Sequence, residues 1–391
     1  MPNKERDINQ LRKEINKIDS SLIDLFSRRR DLSKKIIRAK DITDLPIRDE
    51  KREKELLKRL IAEGKVKGLD AEYVSRIFSE VIENSVSLQQ NYAQQQANKK
   101  DKERNKIKVA IQGIEGSYSY LTAQRFFSEY EDAMEFVGEE RFEDVARAVE
   151  TGEADYAILP IENTTSGGIN EVYDILLHTT LSIIGEEKFK VEHCLCASED
   201  IPVEKIKKVY AHYQAAAQCS GFLASLNNPK LEYFADTAMS AQKISEEKNK
   251  YNAAIASEEA ARVFGVKILK SNIANQSENY TRFLVCARKP ITIDKRVPSK
   301  TSLVMATAHS AGALVEGLMI FRKYNINLTK LESRPIIGNP WEEMFYLDFE
   351  GNLSDKNVQN AIKELTPFTR FLKNLGSYPS KDLPKPKHTE D

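Results

Sequence analysis

The sequence predicts a multidomain chain with an all-α N-terminal domain, an α/β middle and an α+β C-terminal unit. Three observations predict it. Apolar residues recur at steps of three and four through residue 89, short apolar runs alternate with polar turns and helical stretches from residue 108, and a β-α-β-β-α-β pattern follows residue 299. A chain of 391 residues is also too long for one ordinary core. Lys+Arg and Asp+Glu number 59 each, so the net charge is zero and no nucleic-acid partner held by phosphate electrostatics is expected. Cys194 and Cys196 form a Cys-x-Cys pair while Cys219 and Cys286 stand alone; no metal-ligand spacing appears, and neither a metal, a cofactor nor a disulfide framework is expected. The N-terminal residues lead to no apolar signal core and no run is long enough to span a bilayer, so the expectation is a cytoplasmic chain without a membrane partner.

The first element is a long helix. Ile8, Leu11, Ile15, Ile18, Leu22, Leu25, Leu32 and Ile36 alternate steps of three and four as a coiled-coil seam does, and Arg29 completes the pattern between Leu25 and Leu32. A guanidinium there needs an anion, a neighbouring carboxylate or a ligand, unless its stem snorkels to water. Arg12 lies about 26 Å from Arg29 along the helix, so one small ligand can meet both only if a second chain supplies one of them. Lys40 follows three turns after Arg29. Pro46 ends this region, and Asp49 opens a second helix over residues 51–61, with Gly64 and Gly68 as stop signals and Glu53 in its first turns. Asp70 caps a third, whose apolar face of Tyr73, Val74, Ile77, Phe78, Val81 and Ile82 is followed by Ser85 and Gln89 at i and i+4. Residues 93–106, rich in Gln, Asn and Lys, read as a polar linker or a frayed helical extension.

Leu11-Arg12, Arg29-Arg30, Ala39-Lys40, Pro46-Ile47-Arg48-Asp49, Arg52-Glu53 and Ser85-Val86-Ser87-Leu88-Gln89 resemble the all-helical chorismate mutase domain of bifunctional P-proteins (chorismate mutase/prephenate dehydratase). The resemblance implies an intertwined homodimer over residues 1–92. It implies a chorismate site of Arg12, Arg29, Lys40, Asp49, Glu53, Ser85 and Gln89, with arginines on the substrate carboxylates, Lys40 and Gln89 on the ether oxygen, and Glu53 accepting a hydroxyl proton. The chemistry suits these side chains, because a one-molecule rearrangement needs a compact conformer and charge stabilisation rather than a nucleophile.

In the middle of the chain, residues 108–111 read as a strand, Gly113 to Ser119 as a glycine loop and residues 120–127 as a helix. Residues 154–177 repeat the theme. Tyr156 to Leu159 is a buried-strand run that Pro160 closes, Ile169 to Leu177 has helical spacing, and Asn163, Thr164, Thr165, Ser166, Gly167 and Gly168 lie between them. That loop reads equally as an anion cradle at a helix N-terminus or as an ordinary turn with a hydroxyl cap. Strands at 208–211, 232–235 and 253–256 precede helices at 215–226, near Asp236 or Thr237, and at 258–264. The alternation predicts a largely parallel sheet with ligands at the strand ends.

Thr281-Arg282-Phe283, Ile161-Glu162-Asn163-Thr164 and the glycine loop, in this order and spacing, resemble the prephenate dehydratase catalytic domain. The resemblance implies two α/β lobes over residues 107–290 with prephenate in the cleft between them. It nominates Thr281 as donor to the leaving hydroxyl, Ser117, Asn163, Thr164, Ser166 and Gln218 as pocket residues, and Arg282 near a carboxylate. Threonine is a poor acid, so positioning and charge stabilisation are expected to dominate. Two departures stand out: Ala211-His212-Tyr213-Gln214 replaces the common Ser-His-Pro-Gln, and Ile114 replaces a proline. The activity is expected to survive both.

Residues 299–380 read as strands at 301–307, 327–334, 344–350 and 370–378 with helices at 312–324 and 355–365, a ferredoxin-like order. Gly312-Ala313-Leu314-Val315 and Glu332-Ser333-Arg334-Pro335 resemble the effector motifs of ACT domains in phenylalanine-sensitive dehydratases. The resemblance implies L-phenylalanine between paired domains, its carboxylate at the Gly312 amides and its ammonium at Glu332. A plain dimerisation domain is the alternative. Together the three segments imply a bifunctional enzyme converting chorismate to phenylpyruvate under phenylalanine feedback, rather than a mutase with decayed lobes or a solute receptor.

Overall fold

The structure, a computed structural model, describes residues 3–43, 45–98, 106–307, 311–336 and 342–381. They fall into two compact units, one of the described residues up to 98 with Thr292–Pro298 and the other of the remaining described chain.

In the first unit, α1 (Asn3–Thr43), α2 (Glu50–Val66) and α3 (Ala71–Ala97) are the expected three helices. Asp49 caps α2 by accepting from Arg52 N at 3.1 Å, and Asp70 caps α3 by accepting from Glu72 N and Tyr73 N. Gly64 is not a stop, since α2 runs through it to Val66; a Cβ there would come within 2.7 Å of Val74 Cγ2, so glycine permits the close approach of α3. Gly68, with φ +77°, makes the turn instead. The helix α3 continues to Ala97, so the first part of the expected linker is helical, and Gln94 and Asn98 bond the Thr292 and Asp294 backbone. The rest of that linker, 99–105, lies outside the described residues. Ile8, Leu11, Ile15, Ile18, Leu22, Leu25, Leu32 and Ile36 are all exposed, whereas Ser33 and Ile37 are buried.

The second unit begins with β1 (Ile107–Gln112), α4 (Tyr118–Phe126), β2 (Met134–Glu139), α5 (Phe142–Thr151), β3 (Tyr156–Asn163), β4 (Gly167–Gly168), α6 (Asn170–His178) and β5 (Ser182–Lys190). The chain then crosses to a second lobe of β6 (Cys194–Ala197), β7 (Lys208–Ala211), α7 (Tyr213–Gln218), α8 (Ser220–Ser225), β8 (Lys230–Tyr233), α9 (Thr237–Glu247), β9 (Asn252–Ala256), α10 (Glu258–Val263) and β10 (Lys267–Lys270). It returns through β11 (Tyr280–Ala287). The first lobe's sheet runs β2-β1-β3-β11-β5 and the second's β10-β6-β9-β7-β8. Both are mixed rather than largely parallel, because β11 and β6 enter antiparallel to their neighbours when the chain changes lobes. The helix expected over 215–226 is two, broken at Cys219, where the Asn275 side chain bonds Gly221 N, Ala217 O and Ser220 Oγ.

Pro160 does not close β3. The strand continues to Asn163, and a β-bulge opposite it places Arg282 across from Glu162 but Phe283 across from Pro160. A proline inside a sheet is tolerated at such a bulge, where the ladder is already interrupted.

The C-terminal part comprises β12 (Ser299–Thr307), α11 (Ala313–Lys323), β13 (Leu328–Pro335), β14 (Glu343–Glu350), α12 (Lys356–Leu365) and β15 (Thr369–Pro379), in the antiparallel order β13-β14-β12-β15. It forms one compact unit with the two lobes, and Val304, Tyr346, Leu375 and Tyr378 share a core with Leu159, Tyr173 and Leu284.

Candidate active sites

In the helical unit, Arg29 is half-buried; its Nη1 donates to Val81 O at 3.0 Å and to Ser85 Oγ. Among the described residues it has no carboxylate partner, and burial pulls its guanidinium below its ordinary pKa. Lys40 bonds Ile47 O; burial lowers its pKa against the opposing pull of Asp49. Glu53 is held above the usual carboxylate range by burial, although Arg48 bonds it at 3.1 Å and also holds Glu83. Gln89 is buried with its Oε1 unpartnered, as is Arg48 Nη1. The Arg29 guanidinium and Arg48 Nη1 are donors that a carboxylate-bearing ligand would satisfy, and Gln89 Oε1 is an acceptor that a ligand hydroxyl would satisfy. Arg48, quoted in the motif but not selected as a site residue, is the group the sequence reading missed. Asp49, expected on substrate, is occupied as the α2 cap. Arg12 is exposed far along α1.

In the second unit a cavity of about 670 Å³ lies between the lobes. Ser117, Asn163, Ser166, Gln218 and Thr281 line it as expected. Helices α4, α5, α6 and α9 all begin at its edge, so their unpaired N–H groups and dipoles favour a dianion there. The glycine loop is shaped for this closure. Gly113 and Gly116 have φ near +90°, and a Cβ at Gly113 would sit 2.3 Å from Asp236 Oδ2.

Thr281 and Asn163 face each other across β11 and β3. Asn163 Nδ2 donates to Thr281 Oγ1 at 2.9 Å, Asn279 Oδ1 at 2.7 Å and Tyr280 O at 3.1 Å. Because Thr281 Oγ1 accepts from this amide, its own proton is free to donate into the cleft. Asn163 Oδ1 in turn accepts from Thr165 N, Ser166 N and Gln218 Nε2. Those two amides close an Asx turn, so residues 163–168 are a tight hairpin rather than an anion cradle. Gln218 also donates to Thr165 Oγ1 and Ser166 Oγ, and its Oε1 accepts from Asn279 Nδ2 at 3.0 Å and meets His193 Nε2 at 2.8 Å. Burial keeps His193 below its ordinary pKa, outweighing the Gln218 bond, so the imidazole is neutral.

Two expectations are corrected. Thr164 does not line the cleft; its Oγ1 donates to Glu278 O and accepts from Tyr280 N, pinning the hairpin to β11. Arg282 does not reach the cleft either. Strand residues alternate faces, so with Thr281 towards the cleft Arg282 lies behind the sheet, bonded to Glu162, Glu186, Asp348 and Tyr378. Ala211 is buried in the second lobe's core and is not a lining residue, and Ile114 packs on that lobe's other core layer. His193, Asn279, Thr165, Tyr118 and Asp236 are the residues the sequence reading missed. Only the Asn279-Tyr280 pair, adjoining the Thr-Arg-Phe motif, carried a signal.

The effector motifs split. Gly312 caps α11 with φ +85° and Ala313 is buried, Leu314 is half-buried, and Val315 and Ser333 are exposed. Glu332 pairs with Lys330 at 3.1 Å, and Arg334 pairs with Asp174 of α6. Among the described residues no cluster could hold a metal, all four cysteines are free and buried, and no helix is long and apolar enough to cross a membrane.

A helical site presenting cations to a small anion, followed by a two-lobed cleft with an amide–hydroxyl web, defines an enzyme of small carboxylates. Residues 11–90 match the chorismate mutase type II family and residues 109–291 the prephenate dehydratase family. The chain belongs to the bifunctional chorismate mutase/prephenate dehydratases, being 44% identical over 373 residues to that enzyme of Escherichia coli (strain K12), across 95% of this chain and 96% of the relative. Among solved structures it is similar to a prephenate dehydratase from Arthrobacter aurescens in complex with L-Phe, with 28% identity and a TM-score of 0.64, covering 71% of this chain and 91% of that one. It is also similar to GqqA, described as a novel type of quorum quenching acylase, with 29% identity and a TM-score of 0.62, covering 70% and 98%. The chain is thus an isomerase and a lyase of phenylalanine biosynthesis.

Proposed function

We propose that the helical unit binds chorismate through Arg29, Lys40, Glu53, Ser85 and Gln89 of one chain and Arg12 of a second copy. The exposed seam from Ile8 to Ile36 supports the second copy, because eight large apolar side chains on one helix face need a cover of matching period. Arg29 without a carboxylate partner among the described residues supports a ligand carboxylate, and the unpartnered Gln89 Oε1 supports a ligand hydroxyl beside it. Asp49, held as the α2 cap, acts through the position of that helix rather than on the substrate.

The dehydratase reading rests on one observation: Asn163 Nδ2 donates to Oγ1 of the cleft-lining Thr281, so the hydroxyl's own proton is available to a ligand there. Prephenate loses its ring carboxylate as carbon dioxide. The electron pair of that C–C bond enters the ring, and the C–O bond to the ring hydroxyl breaks. The departing oxygen takes a proton from Thr281 Oγ1, which solvent restores, and leaves as water. Ser117 and the helix N-termini hold the carboxylates. Gln218, neutral His193 and Ser166 fix the web that orients Thr281.

The C-terminal sheet is the seat of L-phenylalanine inhibition in this reading. The Arthrobacter structure with L-Phe, whose match extends beyond the length of residues 109–291, supports it. Effector contacts are assigned to Gly312, Ala313, Leu314, Val315, Glu332, Ser333 and Arg334 in paired copies, and domain limits to residues 1–98, 107–291 and 299–381. The test is turnover of the purified chain on chorismate and on prephenate separately, each with and without L-phenylalanine. Both substrates react and L-phenylalanine suppresses the second reaction; no turnover of prephenate would overturn the dehydratase assignment.

A further inference from the structure

Behind the cleft, on the far face of the β3–β11 pair, lies a buried cluster of charges. Arg282 is at its centre. Its Nη1 reaches Asp348 Oδ2 at 2.6 Å and Glu162 Oε1 at 3.1 Å, its Nε reaches Glu186 Oε2 at 2.7 Å, and Nη2 bonds Tyr378 Oη at 3.0 Å. Asp348 lies on β14 and Tyr378 on β15, so half of these partners come from the C-terminal sheet. Lys300 of β12 adds a second cation on Glu186 at 3.0 Å. Ser302 Oγ holds the other oxygen of Asp348, fixing the carboxylate that fixes the arginine.

The register gives this cluster a consequence for catalysis. Arg282 is the next residue after Thr281, and Glu162 the residue before Asn163; each pair is in register across the two strands. The two residues that form the catalytic hydrogen bond therefore sit on one face, and the two that tie the strands to the C-terminal sheet sit directly behind them. A bulge follows immediately, so the ladder beyond Arg282 cannot by itself hold the pair in place. Lys330 extends the cluster. It bonds Glu162 at 2.8 Å and Glu332 at 3.1 Å, linking the effector motif to the residue before Asn163. Glu332 also lies beside Gly168 of the hairpin, its Oε1 3.6 Å from where a Cβ would stand. Three cations, Arg282, Lys300 and Lys330, thus face four carboxylates, Glu162, Glu186, Asp348 and Glu332.

We propose that Arg282 is a positioning residue of the dehydratase, held from the C-terminal sheet by Asp348 and Tyr378, and that Lys330 carries occupancy at Glu332 to Glu162 and hence to the Asn163–Thr281 pair. The second half rests on the reading of Glu332 as an effector residue; the first does not. Physically, an ammonium arriving at Glu332 competes with Lys330 for that carboxylate. Lys330 then shifts towards Glu162, whose bond to Arg282 must adjust with it. The Lys330, Glu162 and Glu332 limb is half-buried, and it ends on the buried Arg282, Glu186 and Asp348, where screening by water is weak and a displaced charge is felt strongly. Glu162 is held below the usual carboxylate range, burial opposing and Lys330 and Arg282 prevailing.

The experiment uses the full chain in three variants, Asp348→Asn, Tyr378→Phe and Lys330→Met, with melting and mutase turnover on chorismate as controls of folding. Asp348→Asn lowers kcat on prephenate by about tenfold to 100-fold with KM little changed, and Tyr378→Phe, which deletes one hydroxyl, lowers it by a smaller factor in the same sense. An unchanged kcat in both overturns the positioning role, and Tyr378→Phe decides alone if Asp348→Asn does not fold. Lys330→Met retains a calorimetric heat of L-phenylalanine binding while losing most of the inhibition. Full inhibition of Lys330→Met overturns the link. Absence of binding heat in the unsubstituted chain overturns the effector reading instead, and leaves the Asp348 and Tyr378 results to judge Arg282.

Discussion

Replacing Asn163 by aspartate changes one nitrogen into an oxygen and tests the orientation of the whole catalytic web. In the native chain that nitrogen donates to Thr281 Oγ1, Asn279 Oδ1 and Tyr280 O at 2.9, 2.7 and 3.1 Å. In the Asn163→Asp variant three acceptors face a carboxylate. Thr281 can relieve its own conflict by turning its proton onto the new oxygen and Tyr280 O keeps the Thr164 N–H at 2.9 Å, but Asn279 can flip only by abandoning Gln218 Oε1. One acceptor left without a donor costs about 1–3 kcal/mol at neutral pH. The catalytic loss is separate. With the Thr281 proton drawn away from the leaving oxygen, kcat on prephenate falls by roughly 100-fold to 1000-fold, the range for deleting one preorganised donor.

The pH dependence carries the sign. A buried carboxyl among oxygens has its folded pKa raised above the unfolded value of about 3.9, so the penalty is full above the folded pKa and fades as pH falls towards the unfolded one. Protonation restores a donor at position 163, and part of the lost rate returns as pH falls from about 8 to about 6. The assay is phenylpyruvate formation over that range, with mutase turnover of the same preparation as an internal control. A variant within about threefold of the native kcat at every pH would refute the assignment of the Asn163 amide as donor and Thr281 as the group it orients.

Three further outcomes are expected. Lys40→Ala removes most chorismate turnover and leaves prephenate turnover intact, as separate assays on one preparation will register; an unchanged mutase rate counts against Lys40 as a substrate contact. His193 stays neutral in the fold because burial lowers its pKa, while the unfolded chain protonates near pH 6.5, so stability is lost as pH falls from about 6.5 towards the folded value. His193→Gln therefore shows a smaller drop in melting temperature than the native chain over that window, and an identical drop refutes it. Leu22→Glu on the exposed seam converts a dimer to a monomer by light scattering and abolishes mutase turnover, since Arg12 then has no partner site; a dimer with full turnover removes the case for a shared site.

Much of this was legible in the sequence because periodicity is local. The helix α1, the caps Asp49 and Asp70, and the strand at β7 each depend on residues within a few positions of one another, and the structure follows them. The Asx turn at Asn163 was equally local. An asparagine followed by Thr-Thr-Ser can fold its own side chain onto the next amides, and that competes with presenting them to a ligand. The two faces of β11 were readable by the same rule, for adjacent strand residues point apart and Thr281 and Arg282 could share the cleft only if the bulge fell between them. It falls one residue later.

What stayed hidden depends on partners far along the chain. β5 contains Glu186 and Glu187, and two adjacent carboxylates argue against a buried strand; both are nonetheless fully buried, Glu186 under Arg282 and Lys300, Glu187 under Arg125 and Lys381. An uncompensated buried carboxylate would be prohibitive, so that strand forms in this place only because β11 and β12 supply the cations for Glu186, and α4 and Lys381 just after the C-terminal sheet those for Glu187. His193 is similarly silent, a lone histidine whose role comes from Gln218 and Tyr118 across the lobe crossing. Charged residues inside strands were therefore the least legible feature of the sequence and the most informative once placed: each records a contact between elements that no local pattern connects. The C-terminal sheet, read from its sequence as a separate sensor, is for this reason also part of the wall that holds the dehydratase strands.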